Sequence, residues 1–318
     1  MKNKSNIKFT IIVILIICLS VTVSPAHTLG PNENDQIERN SDINLSGFNN
    51  IQMNAGTEYW ALLFAVGIYR DNPSKDRPTM LDAVDDLYDA LIDSPQWQPD
   101  HIHVVKGIQA TGINLIKEFI WLIQNEDRDD MSLVYITTHG SPLIDQETGF
   151  PIDLPPKDEA DGADELLVMY DGFANLYAFI WDDLLNFLLS LLQSKGVCLI
   201  VDSCFSGGFN DFPLMENDIG SYTIKSFSEG FSEEIATQGR VVLMSCEEDT
   251  YSYGSYFSNY LIDGFEGSAD RSTFGNGDGT NSAEESFYYA QRLVDLYGYG
   301  NQHPTILDLY HGEFQVTS

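Results

Sequence analysis

The stretch VCLIVDSCFSGG, residues 197–208, decides how this chain is read. Val197–Asp202 is a short apolar run closed by a carboxylate, and it reads as a buried strand. Beyond it stand Ser203, Cys204 and the pair Gly207-Gly208, which lets the backbone turn sharply. A second stretch has the same form: Ser132–Thr137 (SLVYIT) runs through Thr138 into His139-Gly140. A thiol and an imidazole therefore stand at the ends of two strands. Outward from these, Trp60–Val66 (WALLFAV), His101–Lys106 and Val241–Ser245 (VVLMS) also read as buried strands. Between them lie helical patterns. Leu81, Val84, Tyr88 and Leu91 form one stripe, and Ile113, Ile116, Ile120 and Ile123 form another with Thr111 placed to cap it. Asp182–Leu192 is apolar enough to be well buried, and Ser282–Glu285 is a capping box ahead of Phe287, Ala290 and Val294. Strands alternating with helices predict an α/β fold with a mostly parallel sheet covered on both faces. In such folds ligands gather at the carboxyl ends of the strands, where His139 and Cys204 sit.

Only a thiolate is strongly nucleophilic, so a histidine beside Cys204 would serve as its base or ion-pair partner. The glycines after each residue could free backbone N–H groups to face an oxyanion. Taken singly, His139 fits a satisfied structural histidine and Cys204 a buried small hydrophobe. Their joint placement at strand ends favours chemistry. The motifs of serine hydrolases, P-loop proteins and zinc proteases are absent. Cys198 is explained by core packing on a central strand, and Cys246 by a buried thiol or a pocket wall.

Several blocks resemble the caspase-like cysteine peptidases, most closely their metacaspase-like branch. YWALLFAVGIY (59–69) resembles the opening strand, and MLDAVDDLYDAL (80–91) the following helix, with Asp85-Asp86 where the family often has Asn-Asp. VYITTHG (134–140) resembles the histidine block, DEADGADELLVMYD (158–171) the acidic segment, and VCLIVDSCFSGG the nucleophile block. VVLMSCEEDTYSYG, the helix around Tyr256–Phe265 and QHPTI (302–306) are similar too. The resemblance implies a caspase-like three-layer α/β/α sandwich over residues 56–318 and a cysteine endopeptidase. In it Cys204 attacks the scissile carbonyl, His139 protonates the leaving amine, and the N–H groups of Gly140 and Cys204 hold the oxyanion. It also implies that Asp202 and Asp86 line the primary specificity pocket, favouring Arg or Lys at P1 through charge-assisted hydrogen bonds. For Asp86 a solvated helix carboxylate is the competing reading. His-Gly-Ser-Pro (139–142) is similar to legumain-like relatives that cut after asparagine, so an Asn-directed peptidase or transpeptidase is the alternative. A catalytically silent module and an acidic calcium-binding surface protein are readings from other classes.

The 318 residues carry 48 acidic against 16 basic side chains, a net charge of −32. That excludes nucleic-acid or anionic-lipid binding through a basic face. It suits a protein that repels its own kind, so a monomer acting on peptide or protein substrates is expected. Lys2, Lys4 and Lys8 precede the apolar run Phe9–Val23 and Ser24-Pro25-Ala26, which predicts a secretory signal over 1–26 and an exported protein, either secreted or retained at the cell surface. An uncleaved anchor would need about 20 apolar residues. Residues 27–55 read as a linker or short pro-segment. With three cysteines left after export, no disulfide framework is expected. No cofactor is required for the chemistry. The carboxylates of 158–165, with Asp211, are read either as a solvated loop or as a Ca2+ activation site. Residues 276–285 partly fit a calcium loop, but Phe274 at its first position cannot ligate, so a turn and helix cap is the reading. Lys225, in the polar stretch 209–239, is a candidate for self-cleavage.

Overall fold

The computed structural model of the chain describes residues 56–145, 148–154, 157, 163–173, 178–205, 238–245, 255–297 and 302–318, the side chains of Cys204 and Phe205 excepted. The predicted signal and linker, Asp211, Lys225 and Cys246 lie outside these residues.

In chain order the elements are β1 (Tyr59–Ala65), α1 (Thr79–Ile92), β2 (Trp97–Lys106), α2 (Gly112–Asn125) and β3 (Met131–Pro142). There follow β4 (Glu165–Val168), β5 (Phe179–Trp181), α3 (Asp182–Ser190), β6 (Gly196–Phe205) and β7 (Arg240–Met244). The chain closes with α4 (Tyr256–Asp263), β8 (Asn281–Ser282), α5 (Ala283–Tyr297), β9 (Thr305–Asp308) and β10 (Gln315–Thr317). The main sheet runs β2-β1-β3-β6-β7-β9. Its first five strands are parallel, while β9 pairs antiparallel with β7. The fold is α/β with a mostly parallel central sheet flanked by helices, as the alternation of strands and helices predicts.

Strand alternation splits the core into two layers. Leu62, Phe64, Val134, Ile136, Leu199, Val201 and Val242 face α2 and α3, packing against Leu115, Phe119, Leu122, Leu185 and Leu188. Leu63, Ala65, Leu133, Tyr135, Cys198, Ile200 and Leu243 face the other way, against Val84, Leu87, Phe257, Leu261, Phe287 and Val294 of α1, α4 and α5. Cys198 is wholly buried and burial pushes its thiol well above the ordinary range, so it packs rather than reacts.

Three local expectations meet their geometry. The Thr111 hydroxyl accepts from the Asn114 N–H at 3.3 Å, capping α2. Ser282 Oγ accepts from the Glu285 N–H at 3.1 Å, and the Glu285 carboxylate reaches back to the Ser282 N–H at 3.4 Å, completing the capping box of α5. In the 276–285 segment, Asp278 N–H donates to Asn276 Oδ1 and Thr280 N–H to Asp278 Oδ1, which are turn hydrogen bonds. One expectation is corrected. In α2 the sheet takes Leu115, Phe119 and Leu122, while Ile113 is 68% exposed. GINLIKEFIWLIQN carries two apolar stripes of equal period, and only the packed sheet chooses between them. The sequence also did not announce β4 and β5, short antiparallel strands added to the end of β3.

Candidate active site

The register between β3 and β6 sets the site. Thr137 pairs with Asp202, Thr138 with Ser203, His139 with Cys204, and Gly140 with Phe205. His139 and Cys204 are thus backbone neighbours on adjacent parallel strands, about 4.8 Å apart in the hydrogen-bonding direction. Both lie past Ala65 and Met244, where β1 and β7 have already ended, at the carboxyl edge of the sheet.

Three residues from two segments wall the imidazole. From the loop after β1, Tyr69 lies on the ring with centroids 5.0 Å apart and an interplanar angle of 27°. The Tyr69 hydroxyl accepts the His139 backbone N–H at 2.9 Å and is hydrogen-bonded to Thr138 Oγ1 at 3.0 Å. Thr138 in turn donates to the Val168 carbonyl on β4. Phe173, from the turn after β4, meets the ring edge-on at 5.9 Å. The third contact is the Lys75 carbonyl, 2.8 Å from His139 Nε2. A carbonyl only accepts, so Nε2 carries the proton and the Nδ1 lone pair stays available in the neutral ring. Nδ1 is buried and without a hydrogen-bond partner among the described residues. Burial pushes the His139 pKa down to about 4, and the nearby Arg77 and Lys75 cations add to the shift. The ring is therefore neutral at physiological pH and poised to accept a proton at Nδ1.

The loop that supplies Tyr69 and Lys75 is tied down at several points. Gly67 has φ +62°, and a Cβ there would meet Leu81 Cδ2 at 2.7 Å, so only glycine fits this turn. Asp76 Oδ1 accepts the Tyr69 N–H at 2.8 Å, and the Arg70 N–H donates to the Tyr170 carbonyl at 2.9 Å. Arg70 also pairs with Asp171 at 3.2 Å, joining this loop to the turn after β4.

The two carboxylates assigned to a specificity pocket have different surroundings. Asp202 is 2% exposed, accepts a hydrogen bond from Ser258 on α4, and has its pKa raised by burial. Asp86 is exposed on α1, where its charge falls on Glu266 beside those of Asp263 and Asp93. No hydrogen bond or ion pair joins Asp86 to Asp202 among the described residues. Asp85, its neighbour, pairs with Lys106 at 2.5 Å.

Residues 89–213 match the metacaspase peptidase C14 domain. The matched segment contains His139, Gly140, Asp202 and Cys204, whereas Asp86 precedes it. "Metacaspase III c" of Phaeodactylum tricornutum is 28% identical over 122 residues, which is 38% of this chain and 34% of that protein. The chain thus matches about a third of that metacaspase's length. Among solved structures, protein GSU0716 of Geobacter sulfurreducens aligns with a TM-score of 0.49 and 15% identity, over 82% of this chain and all of that one.

A second group lies beside the end of β3, the strand that carries His139. Oxygens of Asp164, Asp182 and Asp183 lie within 4.8 Å of one another. Asp164 precedes β4, and the aspartate pair opens α3. Asp164 Oδ2 accepts the Leu154 N–H at 2.6 Å, while Oδ1 is buried with no hydrogen-bond partner among the described residues. Burial, with Asp182, Asp183 and Asp153 nearby, pushes the Asp164 pKa up to about 7. Hard carboxylate oxygens gathered at this density fit a divalent cation such as Ca2+. Among the described residues of the acidic stretch 158–165, only Asp164 belongs to this group. Its partners Asp182 and Asp183 went unsingled in the sequence because acidic residues in a helix's first turn are ordinary. Tyr69, Phe173 and the Lys75 carbonyl were also missed, since no motif marks them.

Among the described residues, no helix is long and apolar enough to cross a membrane.

Proposed function

We propose that this chain is a cysteine endopeptidase with His139 and Cys204 as its catalytic dyad, cleaving after arginine or lysine. The observation that carries the reading is the β3–β6 register, which makes these two residues neighbours inside a segment matching a metacaspase peptidase domain.

His139 Nδ1 takes the Cys204 proton as the sulfur attacks the scissile carbonyl, and the new C–S bond leaves an oxyanion on the former carbonyl oxygen. The backbone N–H groups of Gly140 and Cys204 hold that oxyanion. Collapse breaks the C–N bond, and the amine leaves with the proton from Nδ1. A water, losing its proton to Nδ1, then hydrolyses the thioester and restores the thiol. Throughout, the Lys75 carbonyl keeps Nε2 protonated, and Tyr69 holds the strand and ring in place.

Asp202, two residues before the nucleophile, supplies the negative charge for a basic P1 side chain. Asp86, exposed on α1, is the weaker candidate for a second pocket carboxylate. Asp164, Asp182 and Asp183 bind Ca2+ as an activator rather than as part of the chemistry. The coupling runs through β4, which starts beside Asp164 and pairs Leu167 with Gly140, next to His139. Residues 1–26 export the protein, which works outside the cell as a monomer on protein or peptide substrates.

The test is covalent labelling. A peptidyl arginine chloromethyl ketone should alkylate Cys204, mapped by mass spectrometry, in a reaction that Ca2+ speeds and His139→Ala suppresses. Alkylation of Cys198 or Cys246 instead, or labelling indifferent to His139, would refute the dyad.

A further inference from the structure

We propose that Ser258, backed by Tyr135, is a positioning residue that orients and solvates Asp202 for a cationic P1 side chain. The inference rests on the basic-P1 reading above and deepens it.

Three buried polar groups from three elements form one chain. Asp202 lies on β6, Ser258 projects from α4, and Tyr135 lies on β3, on the same sheet face as Asp202. Ser258 Oγ donates to Asp202 Oδ2, and the Tyr135 hydroxyl lies 2.6 Å from Ser258 Oγ. Ser258 and Tyr135 are wholly buried, and Asp202 is 2% exposed. A serine hydroxyl has one proton. With that proton committed to the carboxylate, the Ser258 oxygen can only accept, so Tyr135 must donate to it. When Asp202 is ionised, its negative charge thus fixes the direction of the whole chain.

Packing alone gives no reason for this arrangement. Tyr135 and Ser258 sit among Leu63, Leu133, Phe257 and Leu261, where apolar side chains would pack without any desolvation cost. Two hydroxyls solvate a carboxylate but cannot neutralise it. Among the described residues, no Lys, Arg or His forms an ion pair with Asp202. The titratable group facing Asp202 is the Tyr135 phenol from β3, which meets it through charge alone, while Ser258 of α4 and Ser245 at the end of β7 hydrogen-bond to it. A buried carboxylate that is hydrogen-bonded by hydroxyls and lacks a cation is matched by one that arrives with the substrate.

The experiment measures kcat and KM against pH for Arg, Lys and norleucine P1 peptides, using wild type, Ser258→Ala, Ser258→Thr and Tyr135→Phe. Losing a hydrogen bond to a charged group should raise KM for the basic peptides about tenfold or more in Ser258→Ala, with kcat little changed. Asp202 would hold its proton to higher pH, so the acidic limb of kcat/KM moves up. Ser258→Thr should restore both, and Tyr135→Phe should show a smaller version of the same change. Folded Ser258→Ala with wild-type KM and an unmoved limb would overturn the proposal, as would a fall in kcat that is uniform across pH. Carbon NMR titration of the Asp202 carboxyl, in the Cys204→Ala background with and without Ser258→Ala, reads the relay without turnover. An unmoved titration overturns the relay itself. A moved titration in an enzyme that does not prefer basic P1 side chains overturns the basic-P1 reading instead.

Discussion

Replacing Tyr69 with phenylalanine removes one oxygen from the wall of the site and leaves the ring that covers His139. That oxygen accepts the His139 N–H at 2.9 Å. Thr138, its other partner, keeps its hydrogen bond to the Val168 carbonyl. The variant therefore strands one buried backbone N–H, in a residue that is 2% exposed. Leaving such a donor unsatisfied costs about 1–3 kcal/mol. For a domain of this size the melting temperature should fall by roughly 2–10 °C. The same loss frees the His139 backbone, so kcat/KM should fall while KM changes little, because Tyr69 holds the base rather than the substrate. Calorimetry reads the first effect, and amide hydrogen exchange at His139 reads its cause. A Tyr69→Phe enzyme with unchanged melting, and with His139 exchange as slow as in the wild type, would refute the reasoning.

Other outcomes follow from the same geometry. The His139 ring should titrate near 4 rather than 6.5 by proton NMR in Cys204→Ala protein; a midpoint at or above 6.5 would contradict its burial. Because the folded value is depressed, the unfolded chain takes up this proton first. The matching stability is complete above about 6.5 and is lost as pH falls toward 4, which calorimetry across that range checks. Asp164 holds its proton up to about 7, so at pH 8 without calcium Asp164→Asn should melt no lower than wild type. With calcium a hundredfold above its Kd, wild type should gain roughly 5–10 °C and the variant should gain nothing; equal gains would dismiss the site. In α2, Leu115→Ala should cost about 2–5 kcal/mol and Ile113→Ala less than about 0.5 by urea unfolding. The reverse order would contradict the stripe that faces the sheet.

The architecture was legible wherever hydrophobic period and strand length agreed. VCLIVDSCF and SLVYITTHG are too short and too apolar to be surface helices, and both end in chemistry-bearing residues. Register is another matter. Nothing in either string says that position 139 meets position 204; that comes from the pairing of whole strands, starting at Met131 with Gly196. The α2 stripe that faces the sheet is not legible, because leucine, phenylalanine and isoleucine rows coexist on one helix and differ only in what packs on them. The carbonyl of Lys75 was invisible for a deeper reason, since a backbone acceptor leaves no trace in residue identity. Asp182 and Asp183 were legible as residues but not as partners of Asp164. That proximity depends on β4 and β5 folding back along β3, a short antiparallel excursion with weak sequence signals.

The most direct test of the central claim is cleavage by residues 30–318 against the same protein carrying Cys204→Ala. Fluorogenic peptides with Arg, Lys, Asn or Asp at P1 would be assayed with and without calcium. The account predicts thiol-sensitive cleavage after Arg and Lys, enhanced by calcium and absent from Cys204→Ala. Equal cleavage by the Cys204→Ala protein, or no turnover by folded, calcium-supplied wild type, would contradict it.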